Sequence, residues 1–122
     1  MKWCIDIDGV ITANPAVFGW LTYHLTKNEN NQTIIILSWR DGSDPERVKE
    51  TEKELEEFGI RYNQLVMAPR RFPNARVAMF WKIAKIAELE VDIWLDDEIK
   101  SYKRDYSINL DRLLPGVQKI WI

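Results

Sequence analysis

The chain has 122 residues, 46% of them hydrophobic and 30% charged, with a formal charge of −2. That length has room for one domain with an ordinary core, and the composition is that of a soluble globular protein rather than a disordered one. The faintly acidic balance excludes a broad basic surface that wraps nucleic acid, but not recognition of one phosphorylated end.

The single cysteine, Cys4, has no partner for an internal disulfide, which fits a reducing compartment. A carboxylate at position 6 comes too early for the apolar region of a signal peptide. No apolar stretch approaches the roughly 20 residues needed to span a bilayer. A cytoplasmic protein without membrane association or an obligate protein partner is therefore expected.

In chain order, an apolar run from Trp3 to Ile7 predicts the first strand. Asn14-Pro15 can cap and open a helix through Val17, Trp20, Leu21 and Leu25. A second strand is predicted from Thr33 to Leu37, closing on Ser38. Ser43-Asp44-Pro45-Glu46 starts a helix through Val48, Leu55 and Phe58 that stops at Gly59. Its many Glu and Lys residues read as a solvated face. A strand over Gln64–Met67 follows, then a helix from Asn74 through Val77, Phe80, Trp81, Ile83, Ala84 and Ala87. A strand from Val91 to Leu95, a helix over Glu98–Tyr106 and a strand from Val117 to Ile122 complete the chain. The strand runs are continuously apolar, as in strands covered on both faces. Strict alternation of strand and helix implies right-handed crossovers and an α/β fold: a single, Rossmann-like, doubly wound parallel sheet. In such sheets the chemistry gathers at the carboxyl ends of the strands.

Acid collects at two of those ends. The first strand runs into Asp6-Ile7-Asp8-Gly9, and the fourth into Asp96-Asp97-Glu98. Either pair by itself could be a turn or a cap. Two strands delivering acid to one edge is hard to explain structurally, because a buried carboxylate costs several kcal/mol unless it is paired. Magnesium suits such a set, since it prefers carboxylate and water oxygens. Ser38 at the end of the second strand can donate to a phosphoryl oxygen. Arg40 follows at the same edge, and Arg76 and Lys82 lie on the third predicted helix. Other motifs fail. An EF-hand counted from Asp6 would need acid, glycine and glutamate where Val10, Ile11 and Val17 stand. There is no Gly-Lys-Ser/Thr phosphate loop. The lone histidine, His24, reads as a helix residue.

With the run Asp6-Ile7-Asp8-Gly9-Val10-Ile11-Thr12, the strand closing on Ser38, and Trp94-Leu95-Asp96-Asp97-Glu98 in that order, the chain resembles the haloacid dehalogenase superfamily of Asp-x-Asp phosphatases. It is more closely similar to the phosphatase domain of phage-type polynucleotide kinase/phosphatases. There a Ser-Gly-Arg turn matches Ser38-Trp39-Arg40, and an Asp-Pro helix start matches Asp44-Pro45. Leu65-Val66-Met67 and Phe80-Trp81-Lys82 match a strand and a helix segment of the same family. The sequence departs from that family in having Trp39 for the turn's glycine, and no kinase half accompanies it.

The resemblance implies a capless phosphatase working through an aspartyl-phosphate on Asp6, with Asp8 as general acid and base. It implies magnesium held by Asp6, the Asp8 backbone carbonyl, Asp96 and Asp97. Ser38 and a basic residue would stabilise the phosphoryl oxygens; Arg76 is preferred for that role, with Lys82 second. Trp39, Arg40, Arg70 and Arg71 are expected to grip the substrate, a phosphate monoester on a nucleic-acid 3′ end. Three alternatives stay open: a small nucleotidase of the same chemistry, a non-catalytic module of this fold, and a receiver-like domain phosphorylated on aspartate. The last is disfavoured because the third strand ends Met67-Ala68-Pro69, without acid.

Overall fold

The computed structural model describes residues 1–27 and 31–122. Five strands, β1 (Lys2–Ile5), β2 (Thr33–Asp41), β3 (Gln64–Ala68), β4 (Ile93–Asp96) and β5 (Gln118–Trp121), form one all-parallel sheet in the order β3-β2-β1-β4-β5. Between them run α1 (Pro15–Lys27), α2 (Pro45–Glu57), α3 (Ala75–Glu88), α4 (Ile99–Tyr106) and a short α5 (Leu110–Leu113). This is the doubly wound α/β sheet that the alternation of elements predicted.

The continuous apolar runs serve two cores. Cys4, Ile35, Leu37 and Trp94 point to one face and pack with Met79, Ile83 and Ile86 of α3, Tyr102 of α4 and Leu110 of α5. Their neighbours Ile5, Ile34, Ile36, Ile93 and Leu95 point to the other and pack with Phe18 of α1 and Leu55 of α2. Alternation along each strand thus feeds opposite layers. A half-buried antiparallel sheet would have shown polar residues at every second position.

Helix starts follow the capping signals. Asp44 accepts from the Glu46 amide, with Pro45 in the first turn of α2, and Asn74 accepts from the Val77 amide to open α3. Three strand boundaries differ from expectation by more than one residue. β1 ends at Ile5, because Ile7–Ile11 form a kinked turn in which Gly9 has φ 82°. β2 runs on past Ser38 to Asp41, with a break in its pairing to β3 between Ser38 and Asp41. Val91 lies outside β4; its amide closes the end of α3 by bonding the Ile86 carbonyl.

The connection order reverses at β1: β2 and β3 lie to one side of it, β4 and β5 to the other. The crevice at the carboxyl ends of β1 and β4 is therefore the topological switch point, where ligands of such sheets bind.

Of the six tryptophans, Trp94 is fully buried and meets Tyr102 edge-on at 5.4 Å, whereas Trp20 is 64% exposed. Trp94→Ala is expected to cost about 3–5 kcal/mol in urea unfolding. Trp20→Ala should stay within about 0.5 kcal/mol.

Candidate active site

Asp6 stands just beyond β1 and Asp96 ends β4, so adjacent central strands bring both to the switch point. Carboxylate oxygens of Asp6, Asp96 and Asp97 lie within 4.8 Å of one another. Asp6 and Asp96 are 8% and 1% exposed. The glycine of the Asp-Gly pair has a spatial reason as well as a conformational one. A β-carbon on Gly9 would run into the Asp97 carboxylate, so the bare backbone makes room for the second acidic segment.

Lys82 enters this cluster from α3. Its Nζ lies 2.8 Å from Asp96 Oδ2 and 3.2 Å from Asp6 Oδ1, and the residue is 2% exposed. Asp96 Oδ1 accepts from the Glu98 amide at 2.9 Å, which fixes the rotamer of the carboxylate at the start of α4. Burial would lower the Lys82 ammonium, but the charges of Asp6 and Asp96 outweigh it and hold the group above its ordinary value. Burial pushes Asp6 from 3.8 up to about 7, with Asp96 and Asp97 adding to the rise and Lys82 opposing it. Asp97 and Glu98 are raised too, first by burial and then by their acidic neighbours.

The electrostatics match a missing counter-charge. Three carboxylates face one ammonium, so two negative charges are in excess when all are ionised. An all-oxygen donor set with that excess suits a hard divalent cation such as magnesium.

The other expected residues fall in different places. Ser38 is 1% exposed and its Oγ accepts from the Arg40 amide at 3.1 Å. Asp8 is not one of the three clustered carboxylates; its side chain forms a two-pronged pair with Arg40, 3.1 Å from Nε and 2.8 Å from NH2. Hydrogen bonding by Arg40 holds the Asp8 carboxyl below its usual range. Arg40 also reaches Glu54 of α2 at 2.7 Å, so its guanidinium is engaged by protein carboxylates rather than free for substrate.

Arg76, expected nearest the sheet edge, instead donates to the Tyr106 carbonyl at 3.0 Å and lies over the Phe80 ring. Lys82, a turn and a half further along α3, is the helix cation that meets the acids. Ala78, Met79, Lys82, Ile83 and Ile86 form the buried stripe of α3, whereas Arg76, in the first turn, is exposed. Arg70 and Arg71 are exposed, and neither is joined to the cluster among the described contacts. Trp39 walls the small depression over Asp6, Asp8, Lys82 and Glu98, with Lys82 Nζ 5.1 Å from its ring centre. Glu98, read from sequence only as a helix start, belongs to this depression. Its signal was the third consecutive acid of Asp96-Asp97-Glu98.

No family model matches the chain, and no curated protein matches it. Solved structures do. A chain of the "Pnkp1/Rnl/Hen1 complex" aligns with TM-score 0.69 and 16% identity over 99% of this chain and 45% of its own length. A chain of the "Pnkp1/Rnl/Hen1 RNA repair complex" aligns with TM-score 0.65 and 17% identity over 99% and 42%. The likeness is one of fold. This chain spans less than half the length of either neighbour. No helix among the described residues is long and apolar enough to cross a membrane.

The raised carboxyl of Asp6 has a consequence for stability. Folded Asp6 keeps its proton to about pH 7, whereas the unfolded group releases it near 3.8, so stability falls as pH rises through that window. Without divalent ions, Asp6→Asn should be more stable than wild type at pH 8, on the order of 3 kcal/mol, and show no such gain at pH 4. Magnesium should stabilise the wild type at pH 8 but not Asp6→Asn. Urea unfolding at the two pH values, with and without magnesium chloride, checks both.

Proposed function

We propose that the chain is a magnesium-dependent phosphomonoester hydrolase that works through an aspartyl-phosphate on Asp6 and acts on a nucleic-acid 3′-phosphate. The observation that carries the reading is the meeting of Asp6, Asp96 and Asp97 from two separate strand ends, with Lys82 buried among them. A purely structural site would gain nothing from that excess of buried negative charge.

In this reading one Asp6 carboxylate oxygen attacks phosphorus in line, and the bond to the leaving oxygen breaks. Asp8, once parted from Arg40 and protonated from solvent, gives the leaving oxygen that proton, then takes one from the water that cleaves the acyl phosphate and restores Asp6. To do so its carboxyl must part from Arg40, and an incoming phosphate, itself an anion, competes for that guanidinium. Lys82 keeps Asp6 from being neutralised by its acidic neighbours and lends positive charge to the phosphoryl oxygens. Ser38 donates its hydroxyl proton to one of those oxygens while its Oγ goes on accepting from the Arg40 amide. Asp6, Asp96 and Asp97 would hold magnesium, whose charge offsets theirs and shields the approach of nucleophile to phosphate. Lys82 takes the phosphate-stabilising role first considered for Arg76.

Two features support a polymer end as substrate. The depression over the acids is about 60 Å³, room for a phosphoryl group, so the rest of the substrate lies outside it. The fold neighbours come from an assembly whose name specifies RNA repair. In this reading Arg70 and Arg71, exposed beyond β3, would meet backbone phosphates.

With a 3′-phosphorylated oligonucleotide and magnesium, Asp6→Asn should reduce phosphate release to background. Acid quenching of the wild type during turnover should trap an alkali-labile phosphoryl group on Asp6. Lys82→Met should lower kcat by at least about 10²-fold. Undiminished turnover by Asp6→Asn would sink the proposal.

A further inference from the structure

The depression over the acids holds a phosphoryl group and little else, yet it does not stand by itself. The indole of Trp39 is a wall shared with a second, larger cleft of about 460 Å³. That volume lies within the range of about 300–1,000 Å³ typical of small-molecule pockets. Phe72 lines the same cleft, and Ala75 and Ala78 line it from the first turns of α3. Ala75, Ala78 and Lys82 follow one another at three- and four-residue spacing, so a single face of α3 runs from the cleft to the cation of the acidic cluster. The two small alanine side chains leave room there that a larger residue would fill.

The polar groups of the cleft are unevenly matched. Asp41, two residues beyond Trp39 on the extended end of β2, accepts from the Ser43 amide at 2.9 Å and from Ser43 Oγ at 2.6 Å, both through Oδ1. Its Oδ2 takes no hydrogen bond among the described residues. Those bonds from Ser43 hold its carboxyl below the usual range, with the Arg71 charge assisting, so it is an anion that only accepts. Trp39 Nε1 is buried and has no acceptor among the described residues. The cleft therefore presents aromatic surface and one strong acceptor, with an exposed guanidinium, Arg71, beside them.

We propose that this cleft is the base-binding subsite for the nucleotide that carries the scissile phosphate, and that it favours guanine over uracil. The proposal rests on the phosphomonoesterase reading for where the phosphate sits. Aromatic rings stack on any base; Asp41 supplies the discrimination. Guanine offers N1–H and the N2 amine side by side, and both can donate to the free Oδ2 of Asp41, in the manner of Asp and Glu accepting from base amines. Uracil flanks its only Watson–Crick N–H with two carbonyl oxygens, which a carboxylate repels. One indole ring separates the two sites, so a single nucleotide can have its phosphate on one side of Trp39 and its base on the other.

The test is equilibrium binding to the full chain carrying Asp6→Asn, in magnesium, using guanosine 3′-monophosphate, uridine 3′-monophosphate and ribose 5-phosphate as probes. Guanosine 3′-monophosphate should bind at least tenfold more tightly than either of the others. Adding Ala75→Leu, which fills the cleft with a good helix former, should bring it down to the level of ribose 5-phosphate. Adding Asp41→Asn should narrow the guanine-to-uracil ratio toward one, with circular dichroism confirming that each variant is folded. Equal affinity for all three probes, or a preference that survives Ala75→Leu, overturns the proposal. Hydrolysis of 3′-phosphorylated oligonucleotides by the wild type is scored separately. Base-selective binding without hydrolysis supports the cleft and overturns the phosphatase; hydrolysis with no base preference does the reverse.

Discussion

A lysine ammonium buried between two aspartates is the interaction on which the rest of the arrangement depends. Lys82 crosses from α3 to lie 3.2 Å from Asp6 and 2.8 Å from Asp96, and all three residues are nearly inaccessible. Removing the lysine charge from such a set leaves the carboxylates uncompensated in a medium that solvates them poorly, which costs several kcal/mol. Yet the lysine only partly neutralises its surroundings, since Asp97 adds a third carboxylate beside the same two. The site is thus stable enough to fold and still short of positive charge. That state suits a protein that gains a divalent ion after folding, and it is reflected in the raised carboxyl of Asp6.

The sheet explains how so much charge is tolerated at one place. Both strands that supply the acids are flanked by other strands, and their side chains feed two separate apolar layers. Asp96 therefore projects from a strand paired on both sides, and Asp6, one residue past β1, is tied to β4 by its amide's bond to the Leu95 carbonyl. Beneath them Cys4 is fully buried, and that burial pushes its thiol well above the ordinary range, so it is packing rather than a reactive group.

The strand and helix order was legible because each layer leaves its own mark: unbroken runs such as Ile34-Ile35-Ile36-Leu37, and caps such as Asp44-Pro45 and Asn74. The convergence of the two acidic segments followed from that order, since a doubly wound sheet brings its strand ends to one edge. Side-chain direction was less accessible. Asp8 shares a segment with Asp6 but pairs with Arg40, because the strand has already ended at Ile5 and Ile7–Ile11 form a kinked turn. Trp39-Arg40 resembled a turn by family likeness, whereas the strand continues through it to Asp41. α5 has only four residues and escaped notice because it carries no periodic pattern of its own. Lys82 could have been singled out: it stands between Met79 and Ile83 on an apolar stripe, and a lysine there needs a buried anion.

Gly9 joins the two acidic segments mechanically. Its left-handed backbone turns the chain after the first aspartates, and its lack of a side chain is the seat into which Asp97 fits. The ends of β1 and β4 therefore interlock like a tenon in a mortise. A single methyl group added at that position would force the Asp97 carboxylate out of its seat, changing the arrangement of the charges while leaving each of them intact.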